Sequence, residues 1–302
     1  MPLKNTKIVK SDKKEENFNL IITVASGKGG TGKTTVAVNM ALALEIVQLL
    51  DCVVEEPYSH NLLQPTIREI RPVTTKFPVI SEELCIYCGK CSKFCAYNAL
   101  FVAPKTVMVF PELCHSCGGC ALVCPKNAIT EKERQIGIIK KGEANGVEIV
   151  YGELNVGEAM AVPLINAVKN QTKKDKTVII DAPPGTACSL VASVHKTDFC
   201  ILVTEPTPFG LHDLKITVQV LKNLGVPMGV IVNRAGLGDR KVYEYCEKED
   251  IPLLMEIPFD KKIVDLYSRG VPFVTQMHEW KEKFQKIRDT IQREMQWLKR
   301  LQ

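Results

Sequence analysis

One octapeptide decides most of what this chain can become. Gly27-Lys28-Gly29-Gly30-Thr31-Gly32-Lys33-Thr34 follows an apolar, β-branched run at residues 18–25 and precedes helix-forming text at residues 34–45. Strand, glycine turn and helix in that order open an α/β layer. The glycines leave backbone N–H groups uncovered and a helix N-terminus follows, so the loop is shaped for phosphate. The pattern Gly-x-x-x-x-Gly-Lys-Ser/Thr assigns Lys33 to the β- and γ-phosphates and Thr34 to Mg2+, with Thr35 continuing the phosphate-binding turn. ATP or ADP with Mg2+ is the expected ligand.

Further buried strands are expected at residues 46–51, 177–181, 199–204 and 226–233, with helical text between them. That alternation predicts a largely parallel sheet covered on both faces. Between residues 80 and 130 the text changes to cysteine, glycine and proline broken by short apolar runs. The nucleotide-binding parts lie on both sides, so the change marks an insertion. The expected organisation is a basic tail at 1–17, a discontinuous nucleotide-binding domain at 18–79 and 131–302, and an inserted domain at 80–130.

Eight of the twelve cysteines fall in that insert. No apolar signal-peptide core precedes the P-loop strand and no run reaches the roughly 18 apolar residues of a membrane span, so a reducing cytoplasm is expected and metal outranks disulfides. The net charge of +5 owes much to Lys4, Lys7, Lys10, Lys13 and Lys14. No aromatic residues are interleaved among them, so a solvated tail rather than a nucleic-acid arm is expected. The cysteines form two copies of one spacing: Cys85, Cys88, Cys91 and Cys95, then Cys114, Cys117, Cys120 and Cys124 before Pro125. Zinc ribbons show two separated Cys-x-x-Cys knuckles. A third close cysteine, a fourth after three residues and the trailing proline favour iron–sulfur clusters.

The spacing resembles bacterial ferredoxins that hold two 4Fe–4S clusters. In that pattern the fourth cysteine of each run serves the other cluster. The resemblance therefore implies Cys85, Cys88, Cys91 and Cys124 for one cluster, and Cys95, Cys114, Cys117 and Cys120 for the other. Ala96 replaces the proline expected after Cys95. His115 lies inside a set that is already complete and is expected to be exposed or beside the ligands.

The Lys-Gly-Gly opening of the phosphate loop resembles the deviant P-loop of the MinD, ParA, Mrp-type scaffold and nitrogenase iron protein family. That likeness implies a mostly parallel α/β P-loop NTPase fold with a small α+β ferredoxin domain inserted. It also implies a homodimer in which Lys28 reaches the partner's nucleotide. Asp181-Ala182-Pro183-Pro184-Gly185 resembles the family's switch II, with Asp181 near Mg2+ and Gly185 able to contact the γ-phosphate. Asn233 and Arg234 match the adenine-contacting segment, and the Ile257-Pro258-Phe259-Asp260 stretch matches the loop that closes over the base. Asp51 matches the first residue of an Asp-x-Asp motif, but Val53 stands where the second Asp orients water. Tight binding and slow turnover are expected, with Glu55 and Glu56 as nearby carboxylates.

Cys188 lies seven residues after Asp181 and is expected to be a small buried thiol, as are Cys52, Cys200 and Cys246. The amphipathic text at 276–302 is expected to pack on the sheet rather than on a membrane. Three functions fit this text. The first is nucleotide-gated electron transfer to a redox partner, and the second is maturation of a metal-cofactor enzyme. The third is a positioning or regulatory switch with structural clusters.

Overall fold

The structure, a computed structural model, describes residues 20–301; the basic segment at 1–17 lies outside them. In chain order, β1 (Ile21–Ala25) leads through the glycine loop into α1 (Lys33–Ala43), β2 (Val47–Asp51) and α2 (Ser59–Leu63). A long strand β3 (Thr66–Ile80) runs out to the insert, which contains α3 (Lys90–Phe94), β4 (Leu100–Ala103), β5 (Thr106–Val109) and α4 (Gly119–Leu122). Strand β6 (Ile129–Ala144) returns along β3, and β7 (Val147–Leu154) re-enters the body. There follow α5 (Val162–Lys169), β8 (Thr177–Asp181), α6 (Cys188–Val194), β9 (Phe199–Thr204), α7 (Pro208–Leu224) and β10 (Met228–Ala235). The chain finishes with α8 (Lys241–Lys248), β11 (Leu253–Pro258), α9 (Lys261–Ser268) and α10 (Glu279–Leu301).

The nine-stranded sheet has the order β11-β10-β9-β1-β8-β2-β7-β6-β3. From β11 to β7 every pairing is parallel, and the mostly apolar strands β1, β2, β8 and β9 are almost wholly buried between helical layers. The last two strands reverse the rule, because β6 is antiparallel to both β7 and β3. A chain that must leave the sheet and return at the same edge needs such an antiparallel pair. Its outer part is wet on both faces, so β3 and the first half of β6 are rich in Thr, Lys, Arg and Glu rather than in alternating apolar residues.

Helix α10 carries the expected stripe inward. Trp280, Phe284, Ile287, Ile291 and Met295 are buried in the core shared with α1, and Gln285 Nε2 donates to the Ala43 carbonyl at 3.0 Å. Among the described residues no helix is long and apolar enough to cross a membrane.

Candidate functional site

Parallel register brings the chemistry together at the carboxyl ends of the strands, where open α/β sheets bind ligands. Asp51 on β2 lies beside Asp181 on β8, and Val24 of β1 lies on the other side of Asp181, three residues before the phosphate loop begins at Gly27. Both carboxylates are fully buried. Asp51 accepts hydrogen bonds from the backbone N–H groups of Val53 (2.9 Å), Ser59 (3.0 Å) and Tyr58 (3.2 Å), and so closes the loop 52–59. Burial raises its pKa against those three bonds.

Asp181 is pushed up to about 8, first by burial and then by the charge of Asp51, while Thr34, Lys33 and Ser59 oppose the shift. Its Oδ1 is buried with no hydrogen-bond partner among the described residues. A buried carboxylate oxygen without a partner, next to the Thr34 hydroxyl, is the donor chemistry a hard cation takes. The residues present therefore fit Mg2+. Lys33, only 6% exposed, is lowered by burial while Asp181 pulls it back up. A triphosphate relieves that burial by supplying negative charge.

Glycine is required at two points of the loop for different reasons. Gly32 has φ +92°, and a Cβ there would stand 2.5 Å from Asn233 Nδ2. Gly27 runs so close to α7 that a Cβ would meet the Asp213 carbonyl oxygen at 2.5 Å.

Of the expected nucleotide contacts, Gly30, Gly32, Lys33, Thr34 and Thr35 line one wall of a large open cleft, and Asn233, Arg234 and Pro258 line the opposite wall. Asn233 Nδ2 donates to the Thr31 carbonyl at 2.8 Å, tying the two walls together. Gly27, Lys28 and Thr31 line a smaller cavity against β9 and α7 instead. Gly185, at φ +95°, donates its N–H to the Ser26 carbonyl at 3.2 Å, so switch II leans on the start of the phosphate loop. Lys28 folds back within its own chain, with Nζ 3.4 Å from Glu205 Oε2; the other oxygen of Glu205 holds Arg234 at 2.7 Å.

Sequence reasoning missed two aromatic residues here. Tyr58 and Tyr267 line the cleft beside Glu56 and Phe259; Glu56 also borders a second cavity, shared with Val53 and Glu55, against Pro183 and Pro184. One expectation is corrected: Cys188 is exposed, because the first turn of α6 faces solvent after switch II. Cys52, Cys200 and Cys246 are buried.

The insert shows its duplication in the backbone. Left-handed residues recur 29 positions apart, Tyr87 with Ser116, Gly89 with Gly118, and Asn98 with Asn127. Backbone N–H groups reach cysteine sulfurs in matching pairs. Tyr87 donates to Cys85 and Ser116 to Cys114, each at 3.4 Å; Ala99 donates to Cys95 at 3.4 Å and Ala128 to Cys124 at 3.3 Å. Such bonds favour thiolates and set cluster potentials.

Cys85, Cys88, Cys91 and Cys124 line a single small cavity walled by Ile80, Val102, Val107 and Ile129. Among the second four, Cys114 lies within the electrostatic reach of Cys95 and Cys117, and Cys120 within that of Cys114 and Cys117. No three His, Cys, Asp or Glu side chains among the described residues are placed to hold one metal ion. The four thiols that line one cavity are a donor set that fits a multi-iron cluster. His115 is exposed and stacks on Tyr97 with ring centroids 3.4 Å apart.

Residues 22–273 match the CobQ/CobB/MinD/ParA nucleotide binding domain family. The chain belongs to that family. It is thus a P-loop nucleotide-binding protein of the MinD/ParA type. An uncharacterized protein of Methanocaldococcus jannaschii is 30% identical over 293 residues, covering 92% of this chain and 97% of its relative. An iron-sulfur cluster carrier protein of the same organism is 24% identical, covering 90% and 84% of the two chains. Among solved structures, the septum site-determining protein MinD of Pyrococcus horikoshii, complexed with Mg-ADP, superposes with a TM-score of 0.55 at 21% identity, covering 89% of this chain and 94% of that one. The cell division ATPase MinD of Pyrococcus furiosus gives 0.56 at 20% identity, covering 91% and 99%.

Proposed function

We propose that this chain is a slow, dimerising ATPase switch whose nucleotide state governs electron transfer through two 4Fe–4S clusters in the insert. The observation that carries the reading is the cavity shared by Cys85, Cys88, Cys91 and Cys124, joined by a continuous β-ribbon to the sheet that bears Asp51 and Asp181. Cys95, Cys114, Cys117 and Cys120 hold the second cluster. Lys28, Lys33, Thr34, Asp51 and Asp181 serve the phosphates and Mg2+, while Asn233, Arg234 and Pro258 serve the base. When bound, the clusters supply one-electron chemistry; the chain's own part is to hold them in a small apolar module and move it with the switches. Glu56, facing the cleft where Val53 does not, is the carboxylate that positions water.

The test is anaerobic reconstitution followed by two measurements: cluster potentials with and without MgATP, and ATP affinity of oxidised and reduced protein. Coupling must appear in both with equal free energy. Potentials and affinities that ignore one another would leave a ferredoxin fused to an unrelated switch. The relatives named iron-sulfur cluster carrier protein favour a second reading, maturation of a cofactor enzyme. Transfer of iron and sulfide from this chain to an apo-acceptor would select it. A homodimer and a soluble redox or maturation partner fit both readings, in the cytoplasm and without nucleic acid or membrane.

A further inference from the structure

The two cysteine sets are not equivalent in their position on the ribbon. The first set's cavity is walled by Ile80 and Ile129, the pair at the ribbon's outer end. The second motif lies back along the ribbon toward the sheet. Ser116 Oγ donates to the Lys76 carbonyl at 2.6 Å, and Cys114 Sγ stands 3.8 Å from the same oxygen. Arg134, paired with Thr75, is five residues closer to the sheet than Ile129, about 17 Å at strand rise.

Arg134 makes a fork. Its Nη1 and Nη2 donate to the two oxygens of Glu158 at 2.5 and 3.1 Å, and Nη2 also donates to the Pro111 carbonyl at 3.2 Å. Pro111 opens the single turn that delivers Cys114. The Glu158 side chain is 1% exposed and the Arg134 side chain 22%, so water screens this pair little. Arg134 Nε is also buried and has no partner among the described residues, leaving a donor to spare on that guanidinium.

Glu158 sits in a loop tied to the nucleotide side. Leu154 N–H donates to the Val54 carbonyl at 2.9 Å, inside the loop that Asp51 closes. Asn155 N–H donates to Ile136 at 2.8 Å, and its side chain to Gln135 at 2.9 Å, next to Arg134. Hydrogen bonds thus run without a gap from the Asp51-closed loop at Val54, through residues 154–158, to Arg134 and the turn before Cys114.

We propose that Arg134 is the positioning residue that links nucleotide state to the second cluster alone. Its positive charge holds that cluster's potential up, and switch movement changes it by shifting Glu158 and the guanidinium together. The first cluster, at the ribbon's outer end, keeps a fixed potential and faces the external partner. This inference rests on the gated reading above, and both enter one experiment.

Potentials of both clusters are measured by EPR-monitored redox titration of the loaded, full-length chain with MgADP and with a non-hydrolysable MgATP analogue. In the wild type one of the two potentials is expected to differ between nucleotides. Arg134→Gln should lower that same potential and remove its nucleotide dependence, leaving the other potential where it was. Arg134→Lys keeps the charge but loses the fork, so it should hold the potential near wild type while the nucleotide dependence disappears. Two wild-type potentials blind to nucleotide would sink the gated reading and the link with it. A wild-type shift that survives unchanged in both variants would sink the link alone, as would equal movement of both potentials in Arg134→Gln. Hydrogen exchange on the wild type covers the case of a variant that fails to load iron: MgATP should change protection at residues 111–116, and unchanged exchange there overturns the proposal.

Discussion

The nucleotide half and the insert are held together by opposite means. The first buries a continuous core from Leu20 to Met295, with Phe199, Phe284 and Met40 among its fully covered side chains. The insert's core reduces to Leu100, Cys120 and Ile129, while Leu84, Ile86, Phe94, Tyr97 and Phe101 stay about half exposed. One region orders itself by excluding water. The other has too little apolar surface to do so, and small domains of that kind need a metal or cross-links.

The sharpest break of this contrast is removal of iron. Anaerobic chelation should unfold residues 81–128 and leave the sheet intact, read as lost hydrogen-exchange protection confined to the insert. The free energy at stake is on the order of 10 kcal/mol, as in other folds organised by a metal. Retained protection in the iron-free insert would erase the distinction.

The nucleotide half carries a cost of its own at Asp181. Its folded pKa stands near 8 against 3.8 for the free side chain, so the folded state keeps a proton that the unfolded state has released. Stability without Mg2+ should therefore fall as pH rises from about 4 to 8 and level off above that. Asp181→Asn should flatten much of this slope, leaving a residue from Asp51, and melt higher than wild type at pH 8. Equal melting profiles would show that the buried pair is not strained.

Phe284→Ala should destabilise the nucleotide half by about 3–5 kcal/mol while iron content per chain stays unchanged, which denaturant melts and iron assay would report together. At the site, Glu56→Gln should slow hydrolysis by roughly 100-fold, or about 2.7 kcal/mol, with nucleotide affinity preserved. Val53→Asp, restoring the family's second acidic residue, should raise the rate; an unchanged rate would mean that Glu56 already fills the role. The smallest effect is expected for Lys28→Ala. Its half-exposed contact with Glu205 contributes no more than about 1 kcal/mol, so the melt should barely move while ATP-dependent dimerisation is lost on gel filtration.

What could be read from the text divides along the same line. The phosphate loop, Asp51, Asp181 and the eight cysteines were legible because local chemistry fixes residue type and spacing together. The ribbon was not. Its strands lie in water for much of their length, so Glu131, Lys132 and Glu133 stand where an interior strand would show apolar residues, and the usual alternation vanishes. The direction of Glu56, and Arg134 altogether, escaped for another reason. Each acts through the direction of a side chain, which depends on Asp51 closing its loop in one case and on Glu158 in the other. Cys188 was misread because a thiol beside a switch is free of the packing that buries Cys52 and Cys200.

The antiparallel edge has a consequence for how the protein is built. Ile80 and Ile129 must meet before β3 and β6 can zip, and the 48 intervening residues form a closed loop once they do. Closing such a loop from a disordered chain carries an entropy cost that grows with its length. In the proposed ligand sets, Cys85 with Cys124 and Cys95 with Cys114 cross between the two halves and would draw those ends together as iron and sulfide are incorporated. Loading of the insert would then speed completion of the sheet edge, and chains made without iron would expose the strand edge at β7 for longer before β6 and β3 cover it.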